Sequence, residues 1–172
     1  DRPQLSPLVF AGGTSCCNPE PMAPFFDLMV LGEGEEVDIE VLRLYQHARD
    51  AGWSKRDFLL AAAKIPGVYV PGLYEPRYKA DGTLADLECL PGAPETVTKR
   101  IVEDLDAAFY PTKPVVPSTE IVHDRVNLEL FRGCVRGCRF CQAGYVYRPI
   151  RARSAEKVIE LGRETLKNTG SQ

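Results

Sequence analysis

Three cysteines stand within eight residues in "RGCVRGCRFCQAG", residues 132–144, as Cys134, Cys138 and Cys141. Thiolates are soft ligands, which select zinc, copper(I) or iron–sulfur clusters. The C-x3-C-x2-C spacing is unequal, and no second C-x2-C pair or H-x3-H follows it, so it departs from the usual closed four-ligand zinc shell. A [4Fe-4S] cluster takes four cysteines, one per iron, and three local thiols leave one iron without a protein ligand. Cys16, Cys17 and His123 are further donors, but nothing in the spacing directs them here. A metal centre with an open position is what catalytic sites keep and structural sites close. The vacant coordination position is therefore read as the place for a substrate or cofactor. Disulfides are the weaker reading, since Cys16 and Cys17 are adjacent, Cys89 is isolated, and no secretory signal is seen.

The elements around this loop are a strand before it and a helix after it. In "RVNLELFRG", Val126, Leu128 and Leu130 alternate with Asn127 and Glu129, which predicts a strand. "SAEKVIELGRETLKNTG" predicts a helix capped at Ser154 and ended by Gly170, with Val158, Ile159, Leu161 and Leu166 as its apolar face. A strand, a chemistry-bearing loop and a helix make one βα unit of the kind whose loops carry active sites in α/β barrels.

Upstream, "SPLVFAGG" reads as a short buried strand, Leu8 to Phe10, and "FFDLMVL" as a second. The proline-rich "TSCCNPEPMAP" between them reads as a loop. A helix follows with Val37, Val41, Leu42, Leu44, Tyr45 and Ala48 as its stripe, and then a second helix capped by Ser54. This order predicts an α/β layer with parallel strands. Asp81-Gly82 marks a β-hairpin, and Pro91, Pro94, Pro111, Pro114 and Pro117 mark a connector across a surface. The predicted organisation is an α/β domain end over 1–65, a connector over 66–122 and the start of a second domain over 123–172.

Composition narrows the partners. The chain has 172 residues, a net charge of −3 and an isoelectric point near 5.5. That gives no bulk reason to expect nucleic acid or an anionic membrane, although Arg132, Arg136, Arg139, Arg148, Arg151 and Arg153 crowd the cysteine region. No apolar run is long enough for a membrane span. Arg148 and Arg151 are candidates to meet a substrate carboxylate or phosphate, against the plainer reading of a solvated basic face.

The motif itself resembles that of the radical S-adenosylmethionine superfamily, in Cys134, Cys138 and Cys141 with the aromatic Phe140 just before the third cysteine. The resemblance implies that the three cysteines hold a [4Fe-4S] cluster whose open iron is chelated by S-adenosylmethionine. It implies reductive cleavage to methionine and a 5'-deoxyadenosyl radical, with Phe140 against the adenine. "LVFAGG" and "DLMVLGEGEE" resemble the last strands of the cobalamin-binding Rossmann-like domain that precedes many such enzymes. This implies that Gly12, Gly13, Gly32 and Gly34 form turns along a corrin's nucleotide tail. His47 and His123 are not placed as axial ligands, and His47 is read as a helix-surface residue.

The long stretches "GGTSCCNPEPMAPFFDLMVLGEGEE", "PGVYVPGLYEPRY" and "VHDRVNLELFRGCVRGCRFCQAGYVYRP" resemble uncharacterised bacterial B12-binding-type radical proteins. The implied fold is α/β: the C-terminal part of a Rossmann-like domain, a hairpin connector, and the first βα unit of a partial TIM-type barrel. Such barrels take roughly 200 residues or more, so the chain reads as a fragment, truncated at both ends and inactive alone. The implied setting is cytoplasmic, with an electron donor such as flavodoxin or ferredoxin and an unknown substrate. The alternatives are a structural zinc or iron–sulfur module without radical chemistry, and an RNA-modifying methylthiotransferase-like enzyme, which the acidic net charge counsels against.

Overall fold

The computed structural model describes residues 4–119, 122 and 125–170. His123 lies outside the described residues. The chain divides into two compact units, Asp1–Ile101 and Val102–Gln172.

The first unit is a mixed α/β layer. Strands β1 (Phe10–Ala11) and β2 (Leu28–Val30) pair in parallel, Phe10 opposite Leu28. The strand β3 (Val68–Tyr69) joins the other side of β2 antiparallel, Met29 opposite Tyr69. The central strand β2 is fully apolar and all three of its residues are buried, as a strand covered on both faces must be. Strand β1 is an edge, and Phe10 is 42% exposed rather than buried as its sequence suggests. The segment between β1 and β2 is not open loop: it forms two 3-10 turns, Thr14–Cys17 and Glu20–Phe25. Proline is compatible with the start of such turns, where its missing N–H is not needed.

Helix α1 (Gly34–Asp50) carries Glu35 and Glu36 in its first turn and His47 and Arg49 in its last, which complements the helix dipole at both ends. It buries Val37, Val41 and Ala48 and leaves Leu42 exposed. Helix α2 (Lys55–Ala62) starts at Ser54, whose Oγ accepts from the Asp57 N–H at 3.1 Å. Phe58 is the largest fully buried side chain and meets Tyr45 of α1 edge-on at 5.8 Å. Lys55 is also buried, and its ammonium reaches Asp27 at 2.7 Å. The other Asp27 oxygen accepts from the Val9 N–H at 2.8 Å, so one carboxylate ties α2 to the β1 side of the sheet. Strands β4 (Tyr74–Tyr78) and β5 (Leu84–Cys89) form the expected hairpin around Asp81 and Gly82.

The second unit is smaller. Its strands β6 (Phe131–Arg132) and β7 (Arg151–Ala152) pair antiparallel, with the short helix α3 (Ala143–Val146) between them. The longer helix α4 (Ala155–Thr169) follows, with Ser154 Oγ accepting from the Lys157 N–H at 3.1 Å and Gly170 left-handed at its end. Two expectations are corrected here. The alternating run 126–130 is not a strand, because only Phe131 and Arg132 find a pairing partner. The buried positions of α4 are Leu161, Gly162 and Thr165, while Ile159 and Leu166 are exposed. Leu128 sets that face: its side chain comes so near Gly162 that an added Cβ would stand 3.2 Å from it.

Val102 and Leu105 are buried within this unit, and residues 113–119 are exposed and without regular structure. Among the described residues no helix is long and apolar enough to cross a membrane.

Candidate metal centre

The cysteine loop runs from Gly133 to Ile150, between β6 and β7. The two strands close its ends: Phe131 faces Ala152, Arg132 faces Arg151, and the Arg153 N–H donates to the Leu130 carbonyl at 2.9 Å. Gly133 starts the loop at φ +103°, where a Cβ would stand 2.7 Å from Ile150 Cα and 2.8 Å from the Tyr147 carbonyl oxygen. Only glycine allows the two ends to approach this closely. On α3, Gly144 is buried against the Arg136 carbonyl, which an added Cβ would meet at 2.7 Å.

A carboxylate joins the same two ends. Glu129 accepts from Arg132 Nε at 2.9 Å and Nη2 at 3.0 Å, and from Arg153 Nη2 at 3.2 Å. This is a bidentate pair before the loop and a single contact after it. Arg132 foremost, and then Arg153, holds the Glu129 carboxyl below the usual carboxylate range, against the opposing pull of burial. Arg153 is only 6% exposed. Its guanidinium lies 5.4 Å from the Tyr110 ring centroid and donates to the Leu105 carbonyl, while its Nε finds no acceptor. Arg151 is likewise committed to the protein, donating to the carbonyls of Pro149 and Val102. Arg148 is exposed and leans on the Cys134 carbonyl at 3.5 Å. The sequence showed six arginines but not that Arg132, Arg151 and Arg153 turn inward. The alternating position of Glu129 was a signal only for strand, not for its double ion pair.

All six cysteines are free thiols. Cys138 is exposed, Cys134 and Cys141 are half-buried, and a turn closes from the Cys141 N–H to the Cys138 carbonyl at 3.1 Å. Phe140, inside that turn, is 91% exposed. Among the described residues no three His, Cys, Asp or Glu side chains gather about a point that one metal ion would fill. Thiolates hold both zinc and iron–sulfur clusters, the latter with one cysteine on each iron. Three soft thiols on one loop held at both ends fit the donor chemistry of such a cluster.

The glycines proposed for a corrin tail behave differently. A Cβ on Gly32 would collide with the Arg100 main chain, 2.7 Å from its nitrogen, because Arg100 bridges to Gly32 as a neighbouring strand would. A Cβ on Gly34 would stand 2.7 Å from Asp38 Oδ2. Gly12 lies 3.8 Å from Val30 Cβ by the same measure, and Gly13, at φ +91°, faces open space. Gly32 thus meets the chain's own backbone and Gly34 the end of a neighbouring side chain, while Gly12 and Gly13 have room beside them. His47 is exposed on α1 with its ring edge-on to Trp53 at 5.3 Å. Elsewhere in this unit, Cys16 is buried with its thiol pushed up, first by burial and then by Cys17, and the Tyr69 hydroxyl donates to Glu20.

Comparison with known proteins bears on a different part of the chain. Residues 1–71 match the family described as radical SAM proteins, N-terminal. That match supports the radical S-adenosylmethionine superfamily, and it stops well before Cys134, so it is independent of the cysteine motif. The chain is also similar to an uncharacterized protein of Methanocaldococcus jannaschii, 27% identical over 162 residues, covering 92% of this chain. The chain spans 29% of that relative's length. No solved structure matches.

Proposed function

We propose that the chain is part of a radical S-adenosylmethionine enzyme and supplies the loop that holds its [4Fe-4S] cluster. The observation that carries this reading is the coincidence of two unlinked features. An N-terminal segment matches a radical SAM family, and a three-thiol C-x3-C-x2-C loop lies downstream of it.

In this reading Cys134, Cys138 and Cys141 hold the cluster. When bound, the reduced cluster supplies the electron that cleaves S-adenosylmethionine and starts radical chemistry on the substrate. The chain's own residues shape the site. Gly133 lets the loop ends meet, Glu129 holds Arg132 and Arg153 together, and Phe140 offers an exposed aromatic face on which the nucleoside stacks. The first unit serves as the end of a Rossmann-like domain that precedes the radical domain, supported by the parallel β1–β2 pair and the helix α1 that follows.

The test is anaerobic reconstitution of the full-length protein with iron and sulfide. Iron and sulfide near four each per chain are expected, and both should be lost when Cys134, Cys138 and Cys141 are replaced by Ala. Stoichiometric zinc with no sulfide would instead make the loop a structural knot.

A further inference from the structure

The first unit holds a pair of tyrosines that the cysteine loop does not use. The rings of Tyr69, on β3, and Tyr74, at the start of β4, stack with centroids 4.8 Å apart and planes at 26°. Both are buried, Tyr69 at 5% exposure. The short 3-10 turn Pro71–Leu73 is all that separates β3 from β4, which keeps the two rings together. A second 3-10 turn, Glu20–Phe25, opens with Glu20, and the Tyr69 hydroxyl donates to its carboxylate across 49 positions of chain.

The two phenols differ in what meets their protons. The Tyr69 acceptor is a carboxylate, whereas the Tyr74 hydroxyl donates to the Pro94 carbonyl at 2.8 Å. A carboxylate takes a proton outright, and a main-chain carbonyl accepts a hydrogen bond only. The difference matters for oxidation, because a phenol that loses an electron becomes a strong acid. With a base in contact, the proton leaves with the electron and no phenol cation forms. Without one, a cation must be carried in a buried site, which is costly. Burial first, and then the Glu20 hydrogen bond, pushes the Tyr69 phenol well above its ordinary value. The phenol therefore keeps its proton until its electron goes.

We propose that Tyr69 is a redox-active tyrosine, which gives one electron to a diffusible peroxyl-type radical while its proton passes to Glu20. The radical ROO• gains the electron and becomes the anion ROO−. The Tyr69 O–H bond breaks, the phenol becomes a neutral tyrosyl radical, and an O–H bond forms on Glu20. One negative charge stands on Glu20 before the step and on ROO− after it. Tyr74 is a positioning residue here: its stacked ring covers Tyr69, so the tyrosyl radical does not meet and couple with a second phenol. Every residue involved lies in the first unit, so the inference stands apart from the radical reading of the cysteine loop.

The experiment uses the full-length protein with Cys134, Cys138 and Cys141 replaced by Ala, so that no cluster competes as the electron source. The probe is the trichloromethylperoxyl radical, made by a radiolysis pulse. Tyrosyl formation is followed by absorption, and its persistence by electron paramagnetic resonance of freeze-quenched samples. A long-lived tyrosyl signal should appear, be lost in Tyr69→Phe, which keeps the stacked ring, and remain in Tyr74→Phe. In Glu20→Gln it should form about a hundredfold more slowly, at the low end of what a positioned base contributes. Formation should also be slower in deuterium oxide, a reading that needs no further variant and decides the matter where circular dichroism shows one misfolded. An unchanged long-lived signal in Tyr69→Phe would overturn the proposal, as would a signal lost in Tyr74→Phe instead. Equal rates in Glu20→Gln, or no slowing in deuterium oxide, would overturn the transfer to Glu20. A signal that is short-lived in every form, as from the exposed Tyr78, would overturn the site altogether.

Discussion

Glu129 is the residue on which two of the second unit's ion pairs converge. Its carboxylate meets Arg132 before the cysteine loop and Arg153 after it, and both guanidiniums lower its proton affinity. A carboxyl that is more acidic folded than unfolded adds stability only while it is ionised. That contribution is complete above the ordinary glutamate value of about 4.3 and is lost as pH falls through the lower folded value. Denaturant unfolding of the unaltered protein and of Glu129→Gln should therefore differ near neutral pH, with the variant less stable. The difference should close as pH drops below about 4, on the scale of ordinary glutamates. A difference that persists unchanged into acid would show that Glu129 acts by packing rather than by charge. None of this pairing is visible in "NLELFRG", where Glu129 reads only as the polar member of an alternation. The cysteines, in contrast, were legible because a ligand set carried on one short loop is written in local spacing.

At the scale of elements, helices were legible and strands only partly so. Helix α2 announces itself through Ser54 and its apolar residues, and α4 through Ser154 and Gly170, because caps and stops are local chemistry. A strand needs a neighbour, and alternation in residues 126–130 says which way side chains point without saying whether a partner exists. The face of α4 had the same limit. Its Ile159 and Leu166 look as apolar as Leu161, and only the approach of Leu128 to Gly162 decides which side is covered. The core of the first unit rests on Phe58, fully buried and in edge contact with Tyr45. Phe58→Ala should cost about 3–5 kcal/mol, the usual range for emptying a buried aromatic site. Urea unfolding of the two proteins measures this directly, and a loss well under 1 kcal/mol would mean that the helix–sheet core does not depend on this ring.

At the scale of the whole molecule, the radical reading comes from two places in the chain that the sequence treats separately. The N-terminal radical SAM family match covers residues 1–71 of the first unit, which runs on to Ile101, and the cysteine loop sits in the second unit, beyond that match. Glycine signals close approach but not what approaches, and at Gly32 the neighbour is the main chain of Arg100 rather than a ligand. The loop's glycine, Gly133, has the same origin, since residues 147–150 fill its side-chain space.

The most direct test of the central claim is electron paramagnetic resonance of the reconstituted, reduced full-length protein, recorded before and after adding S-adenosylmethionine. The radical reading predicts a reduced [4Fe-4S] signal whose shape changes on addition, because S-adenosylmethionine coordinates an iron that Cys134, Cys138 and Cys141 leave open. A cluster signal that S-adenosylmethionine does not alter would contradict it.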